Sequence, residues 1–406
     1  MYPMNENIKV LLLEWISQTA VDTFTKNGIT NLELLPNSIE GEELIAKIAD
    51  VDFIGIRSRT QLTKEVLSHA KKLKAIGCFC IGTNQVDVDA ALDLAIPVFN
   101  APFSNTRSVA ELIIWETIML LRRTFEVSNM AHTGEWSKSA KNSFELRGKT
   151  IGIVGYGHIG TQISIMAESM GMRVIYFDVI DKLPLGNAVK KDTLKELLQE
   201  ADIVTLHVPE LGSTKNLMDA QAFTYMKQGS YLLNASRGTV VDIDALVENL
   251  KSGKILWAAI DVFPIEPKGK SEKFISPLQG FPNVILTPHV AGSTEEAQTN
   301  IGVEVATKLS NYCNFWNTDG AVNYPQVSLP AVKEGCRRVQ FIHKNIPGMM
   351  AAINSEFGDR GIQIFAQFLD TKWPLGYAIL DVQKITVEMV VELSQMPGAI
   401  KVSLLN

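Results

Sequence analysis

Three side chains that can move protons and bind anions follow three apolar runs of strand length. Arg237 follows YLLNA, Glu266 lies in a turn after ILWAAI, and His289 follows VILT. A histidine titrates near neutral pH and can exchange a proton with a reacting oxygen. A carboxylate can stabilise the charged ring, and an arginine can grip a substrate carboxylate. Each residue alone would more often be structural, but together they predict an acid/base histidine, its partner and a substrate anchor.

A glycine-rich turn lies earlier in the chain, between a strand pattern and a helix pattern. The strand KTIGIV leads into Gly155, Gly157 and Gly160, and helical spacing follows. Glycines at these positions permit a tight turn, a close backbone approach to a pyrophosphate, and close helix packing. Asp178 ends the next strand pattern, near the spacing expected for a carboxylate that binds an adenosine ribose. The pattern predicts NAD rather than NADP, and the alternative is a glycine-rich turn with a coincidental aspartate.

The remaining cofactor contacts are predicted from topology. In an open α/β sheet, ligands bind beyond the carboxyl ends of the strands. Besides the three glycines and Asp178, the predicted NAD contacts are His158, Ile159, His207, Pro209, Ala235, Ser236, Arg237, Asp261, His289, Val290, Ala291 and Gly292.

The elements that must position these residues alternate along the chain. Apolar strand patterns and helical patterns succeed one another from residue 8 to about residue 320, which predicts α/β architecture with two doubly wound parallel-sheet domains. Two long helical patterns suggest that the chain leaves the first domain and later returns to it. Ser104 or Asn105 could cap the first of these helices. The predicted first domain is 1–104 with 293–325, and the predicted dinucleotide-binding domain is 105–292.

The C-terminal part has a different pattern. The segment 317–335 is rich in Pro, Gly and Asn and indicates a linker. The residues 333–406 show a βαββαβ order, which is typical of a ferredoxin-like module.

Composition excludes several classes of protein. The chain has 406 residues and a net charge of −6, so it lacks the chain-wide basic footprint of a nucleic-acid-binding protein. No apolar run approaches the roughly 20 residues that span a bilayer, and the start MYPMNENIKV lacks a signal-peptide pattern. The four cysteines form no metal-ligand pattern and are expected to be free thiols. We therefore expect a cytoplasmic protein without a metal and without nucleic-acid or membrane partners.

These motifs resemble the D-isomer-specific 2-hydroxyacid dehydrogenases over about residues 8–320. The glycine turn, SRG at 236–238, DVFPIEP at 261–267 and TPHVAGST at 287–294 carry the resemblance. The segments KAIGCFCIGTNQVD and AIPVFNAPFSNTRSVAEL are similar to the branch that oxidises 3-phosphoglycerate to 3-phosphohydroxypyruvate with NAD. The resemblance implies this first step of the phosphorylated serine pathway, a homotetramer and, in some members, reduction of 2-oxoglutarate.

A phosphorylated substrate needs cationic groups besides Arg237. Arg57 and Arg59 alternate after the strand pattern DFIGI, although a solvated arginine pair is the alternative. The predicted substrate-binding residues are Arg57, Ser58, Arg59, Asn105, Lys138 and Lys141.

The C-terminal module resembles the ACT regulatory domain of the same branch. The run FIHKNIPGMMAAIN contains an HxNxPG turn, and the resemblance implies that His343 and Asn345 bind the effector L-serine across a pair of subunits. A later strand usually carries an asparagine contact, where this chain has Gln363 with one more methylene. A purely structural dimerisation module is the alternative.

Two other functions stay open from the sequence. One is another D-2-hydroxyacid dehydrogenase, such as a glycerate or hydroxypyruvate reductase, and Arg57, Arg59 and the ACT-like tail argue against it. The other is a non-catalytic NAD-sensing regulator on the same fold, which would need a partner-binding cleft and no such tail.

Overall fold

A computed structural model describes residues 8–267, 272–332 and 334–405. The chain divides into two compact units, Met1–Ser104 with Gln298–Asn406, and Asn105–Ala297. Within the described ranges, no helix combines the length and the apolar character needed to cross a membrane.

The first part of the chain forms a five-stranded parallel sheet in the order β2-β1-β3-β4-β5. This is a doubly wound order, as predicted. Its elements are β1 (Lys9–Leu12), α1 (Gln18–Lys26), β2 (Asn31–Leu34), α2 (Gly41–Ile48), β3 (Phe53–Ile56), α3 (Lys64–Ser68), β4 (Ala75–Cys78), α4 (Val88–Asp93) and β5 (Val98–Asn100).

The strand β1 is shorter than the apolar run IKVLLLEWI predicted. It ends at Leu12, and Glu14 and Trp15 have φ values of +66° and +52°. Left-handed backbone of this kind cannot continue a strand, so the chain turns before the apolar run ends.

The second unit forms a seven-stranded parallel sheet in the order β12-β11-β10-β9-β6-β7-β8. Its strand order reverses beside β6, the strand that leads into the glycine turn, as in a Rossmann fold. Its elements are α5 (Thr106–Arg122), α6 (Thr124–His132), β6 (Thr150–Val154), α7 (His158–Ser169), β7 (Arg173–Phe177), β8 (Val189–Lys190), α8 (Leu194–Glu200), β9 (Ile203–Leu206), α9 (Ala220–Tyr225), β10 (Ser230–Asn234), α10 (Ile243–Lys251), β11 (Ile255–Ile260) and β12 (Val284–Leu286).

Two apolar cores cover the two faces of this sheet. One contains Ile113 of α5 and Ile163 of α7, and the other contains Leu197 of α8, Phe223 of α9 and Leu246 of α10. Burial on both faces explains why the strands are continuously apolar and why polar side chains collect at the strand ends.

The C-terminal elements form a separate antiparallel sheet in the order β14-β15-β13-β16, which has the predicted βαββαβ sequence of elements. The elements are α11 (Glu295–Phe315), β13 (Arg337–Lys344), α12 (Met349–Asp359), β14 (Ile364–Lys372), β15 (Leu375–Val382), α13 (Val387–Leu393) and β16 (Ala399–Leu404).

The first part of the segment predicted as a linker, 317–327, packs into the fold, whereas most of the described residues from 328 to 335 are exposed. Tyr324 and Val327 are fully buried, and the Asn323 side chain accepts a hydrogen bond from the Val98 N–H at 2.8 Å. The Val322 N–H donates to the Val98 carbonyl at 2.8 Å. Because Val98 lies on the edge strand β5, its backbone groups need partners, and this segment supplies them.

Candidate active site

The glycine turn after β6 depends on close backbone contacts. Gly155 has φ +94°, and a Cβ there would lie 2.3 Å from the His207 carbonyl oxygen. A Cβ at Gly160 would lie 2.3 Å from the Gly155 carbonyl oxygen, whereas one at Gly157 would meet no atom within 4 Å. The close contacts at Gly155 and Gly160 exclude any residue with a side chain. The open space beside Gly157 leaves the start of α7 accessible to an anion.

Asp178 is held beside this turn. One carboxylate oxygen accepts the Tyr156 N–H at 2.8 Å, and the other accepts the Ile180 N–H at 2.9 Å. The carboxylate therefore has a fixed orientation directly after β7, and each oxygen keeps capacity for a further hydrogen bond. The exposed His158 and half-buried Ile159 open the helix α7.

His207 lies at the end of β9, and its ring nitrogen Nε2 is 2.8 Å from the Thr205 hydroxyl. Nδ1 is buried and has no partner among the residues that the structure describes. Burial lowers the pKa of His207 to about 3, so its ring is neutral. Pro209 lies exposed just beyond it.

Arg237 is carried by a turn that Asn234 organises. The Asn234 Oδ1 accepts the Ser236 N–H at 3.0 Å and its hydroxyl at 2.7 Å, and the Asn234 Nδ2 donates to the Arg237 carbonyl at 3.0 Å. A Cβ at Gly238 would lie 1.9 Å from the Phe263 carbonyl carbon, so this turn packs closely on the segment that leads to Glu266. Asn234 was not predicted; its signal is a polar residue at the last position of an apolar strand.

Asp261 fixes the loop that carries His289. Its buried carboxylate accepts the Thr287 hydroxyl at 2.7 Å, the Val290 N–H at 2.8 Å and the Ala291 N–H at 3.0 Å. The Asp261 carbonyl also accepts the His289 N–H at 2.8 Å. His289 has φ +54°, a left-handed conformation that these bonds maintain. Asp261 thus positions the loop, a role that its prediction as an NAD contact did not include.

Glu266 and His289 are in direct contact. The His289 Nδ1 lies 2.9 Å from one Glu266 carboxylate oxygen, and the other oxygen accepts the Phe263 N–H at 3.0 Å. Because a carboxylate only accepts hydrogen bonds, Nδ1 carries a proton and Nε2 is the nitrogen available for chemistry.

The charges of the site shift both pKa values. The hydrogen bond that His289 donates to Glu266 raises the pKa of His289 against the opposing effect of burial. Burial acts to raise the pKa of Glu266, but the bonds from His289 and the Phe263 N–H outweigh it and hold that pKa below its ordinary value. Arg237 lies close enough for its positive charge to lower both pKa values. The three predicted residues therefore form one electrostatic group.

A further carboxyl group lies beneath this loop. Glu116 on α5 is 1% exposed, and its Oε1 has no hydrogen-bond partner in the described part of the chain. Burial and the negative charge of Asp261 raise the pKa of Glu116 to about 8, so the group is protonated at neutral pH. The sequence signal, a glutamate within the apolar stretch LIIWETIML, was missed.

Asn105 is buried at the N-terminus of α5, but the expected cap is absent. Neither Ser104 nor Asn105 caps this helix among the described contacts, since the Ser104 hydroxyl donates to Glu304. The Asn105 side chain instead packs on Gly292, where a Cβ would lie 2.1 Å from its Nδ2. Its buried Oδ1 has no partner within the described ranges.

Lys138 and Lys141 are exposed on the segment after α6. In the described part of the chain, no hydrogen bond or ion pair connects either lysine with Arg237, Glu266 or His289. Arg57, Ser58 and Arg59 follow β3 in the other unit, where the arginine Arg57 is half-buried and the two following residues are exposed. The substrate roles of these residues stay predictions.

The predicted effector residues do not meet within one chain. His343 is 2% exposed and pairs with Gly376, and a Cβ at Gly376 would lie 2.1 Å from its ring. Gln363 precedes β14 at the opposite end of the sheet, where Ile364 pairs with Val382. Asn345 follows β13 on the side of His343, and its N–H donates to the Pro374 carbonyl at 2.8 Å.

Comparisons with known proteins agree with this architecture. Residues 114–291 match the family model of the D-isomer specific 2-hydroxyacid dehydrogenase NAD binding domain. The D-3-phosphoglycerate dehydrogenase of Escherichia coli K12 is 52% identical over 403 residues, covering 98% of each chain.

The chain belongs to the D-3-phosphoglycerate dehydrogenase family. The D-3-phosphoglycerate dehydrogenase 1 of Saccharomyces cerevisiae is 48% identical and covers 93% of this chain and 82% of its own length. A solved D-lactate dehydrogenase from Aquifex aeolicus, complexed with NAD and lactic acid, is 26% identical with a TM-score of 0.69, covering 78% of this chain and 100% of its own. The protein is an NAD-dependent oxidoreductase with a Rossmann domain, and these two predictions are confirmed.

Proposed function

We propose that this enzyme oxidises 3-phospho-D-glycerate to 3-phosphohydroxypyruvate with NAD, the first step of phosphorylated L-serine biosynthesis. The contact of Glu266 with His289 at 2.9 Å, beyond the same sheet that carries the glycine turn, is the observation on which the reaction rests. The names of the relatives point to the same substrate.

The residues present fit the cofactor. The open space beside Gly157, the start of α7 and the fixed Asp178 carboxylate suit a pyrophosphate and an adenosine ribose. The other predicted contacts, from His207 to Gly292, lie at the ends of the same strands. Bound NAD supplies the nicotinamide carbon that accepts a hydride.

The chain's own groups bind the substrate and move its proton. His289 takes the substrate hydroxyl proton at Nε2, and Glu266 stabilises the resulting imidazolium. Arg237 binds the substrate carboxylate and polarises the adjacent carbonyl as it forms.

We assign the phosphate of the substrate to Arg57 and Arg59, with Ser58 between them. Asn105, Lys138 and Lys141 are proposed as additional substrate contacts. Two guanidinium groups suit a doubly charged phosphate because arginine forms bidentate hydrogen bonds with its oxygens.

The domain roles follow from these assignments. We propose a substrate-binding domain of 1–104 with 293–325, an NAD-binding domain of 105–292 and an ACT domain of 333–406. In this proposal the enzyme is a cytoplasmic homotetramer in which L-serine binds at His343, Asn345 and Gln363.

A substrate panel tests the function. NADH formation is measured with 3-phosphoglycerate, D-glycerate and D-lactate, and NADH consumption with 2-oxoglutarate, each with and without L-serine. We expect 3-phosphoglycerate to have the highest kcat/KM. A preference for glycerate would support another dehydrogenase, and NAD binding without turnover of any acid would support a regulator.

A second test addresses the cofactor site. Asp178→Arg should weaken NAD binding by about tenfold or more, because it replaces an acceptor for the ribose hydroxyls with a cation. Unchanged NAD affinity would contradict the assignment of Asp178.

A further inference from the structure

A buried carboxylate lies directly beneath the loop that carries Arg57 and Arg59. Glu14 follows β1 and is only 7% exposed. Its backbone is left-handed, with φ +66°, which turns the chain at this point toward the end of β3. An ionised side chain is rarely buried without several compensating partners, so its contacts indicate what it stabilises.

Both Glu14 oxygens bind the loop after β3. Oε1 accepts the Thr60 N–H at 2.8 Å and the Arg57 N–H at 3.3 Å, and Oε2 accepts the Arg59 N–H at 3.0 Å. The Arg57 guanidinium also donates to the Glu14 carbonyl oxygen at 3.4 Å. One residue thus fixes the backbone of both arginines and one of their side chains.

The same loop is held from its other side by Gln85. Its Nε2 donates to the Arg57 carbonyl at 2.6 Å, and Gln85 itself is 7% exposed. The N–H of Arg57 is therefore bound by Glu14 while its carbonyl is bound by Gln85. This arrangement removes conformational freedom from the loop before any ligand binds.

We propose that Glu14, supported by Gln85, is a positioning residue that holds Arg57 and Arg59 for the substrate phosphate. It thereby sets the preference of the enzyme for a phosphorylated over an unphosphorylated 2-hydroxy acid. The inference rests on the proposed function, because it assumes that the two arginines bind the phosphate.

The direction of the change in KM for 3-phosphoglycerate distinguishes a positioning role of Glu14 from a purely electrostatic one. A negative charge near a phosphate opposes phosphate binding, so its removal alone would improve the KM for 3-phosphoglycerate. Glu14→Gln also replaces one acceptor oxygen with an N–H₂ group that faces a backbone N–H. The loop then loses at least one charge-assisted hydrogen bond, and the arginines shift.

The experiment compares Glu14→Gln with wild type and with Glu43→Gln, an exposed glutamate on α2 of the same unit. The measured quantities are kcat/KM for 3-phosphoglycerate and for D-glycerate, KM for NAD, and the thermal midpoint. In Glu14→Gln, we expect the ratio of kcat/KM for 3-phosphoglycerate to kcat/KM for D-glycerate to fall by about tenfold or more, because small misplacements of binding groups have effects of this size. The fall should come from a higher KM for the phosphorylated acid. KM for NAD and the control variant should match wild type.

The outcomes are distinct. If Glu14→Gln keeps the wild-type preference for the phosphorylated acid, or if its KM for 3-phosphoglycerate is lower than that of wild type, the inference is overturned. The proposed function then stays intact. A wild-type enzyme without preference for the phosphorylated acid overturns both. If Glu14→Gln does not fold, Gln85→Leu serves instead, because it removes the donor to the Arg57 carbonyl, together with the bonds of the same amide to the Gly82 carbonyl and the Cys80 sulfur, and leaves Glu14 in place. An unchanged substrate ratio in that variant also overturns the inference.

Discussion

The proposed catalytic pair and the proposed effector residues are arranged in opposite ways. Glu266 and His289 meet within one chain, whereas His343 and Gln363 lie at opposite ends of the C-terminal sheet. The second sheet is parallel, so the carboxyl ends of all its strands share one edge. In the C-terminal sheet, β13 and β14 both run antiparallel to β15, so the residue that ends one strand lies far from the residue that precedes the other. The proposed proton chemistry therefore needs one copy of the chain, while the proposed serine site with all three residues needs two.

The largest expected effect is on the proton acceptor. His289→Gln should lower kcat by about 10²–10⁴-fold, the usual contribution of general base catalysis, while NAD affinity falls far less because the other predicted NAD contacts remain. Steady-state rates and NAD titration by fluorescence measure the two quantities. Mixed oligomers of His289→Gln and Glu266→Gln chains should be no more active than the two variants measured separately. Recovery of wild-type activity in the mixture would show that Glu266 and His289 act across two copies of the chain.

The partner carboxylate should affect both rate and pH dependence. Glu266 raises the pKa of His289, so Glu266→Gln should lower that pKa. Because oxidation requires neutral His289, the acidic limb of the profile of kcat/KM against pH should move to lower pH. The rate at the optimum should fall by about tenfold or more, since the imidazolium loses its stabilising charge. An unmoved acidic limb would contradict the role of Glu266.

The effector site should depend on two copies of the chain. His343→Ala and Gln363→Ala should each lose serine inhibition while kcat without serine stays at the wild-type value. Co-expression of the two variants should restore part of the inhibition, because some chain pairs then present one intact site. Serine titration of differently tagged, co-purified oligomers measures this. A mixture as insensitive to serine as each variant alone would contradict a site shared between two chains.

The smallest effect concerns stability rather than turnover. Burial raises the pKa of Glu116 from an ordinary value near 4.5 to about 8. The unfolded chain therefore releases this proton at lower pH than the folded chain, and the native state loses stability as pH rises from about 4.5 to about 8. Glu116→Gln, which cannot ionise, should be more stable than wild type at pH 8, by an amount on the order of a few kcal/mol. The difference in thermal midpoint between Glu116→Gln and wild type should shrink toward pH 5. A difference that stays constant with pH would contradict the raised pKa of Glu116.

Local patterns were sufficient to predict much of the fold and the candidate site. The alternation of apolar strands and helices predicted both parallel sheets, and the βαββαβ order predicted the C-terminal sheet. The glycine turn and Asp178 were predicted because their spacing along one βαβ unit is short. The segment 317–335 was predicted as a linker, and its composition did not show that the first part pairs with β5.

The amino-acid pattern alone was enough to assign Arg237, Glu266 and His289 to one edge of the sheet, since parallel topology brings the ends of their strands together. The contacts that hold these groups in place are visible only in the folded chain. Glu14 binds Thr60, and Asp261 binds the loop of His289, through hydrogen bonds between residues far apart in the chain. Such contacts leave no periodic trace in a single sequence, because they depend on how turns from different strands pack against one another.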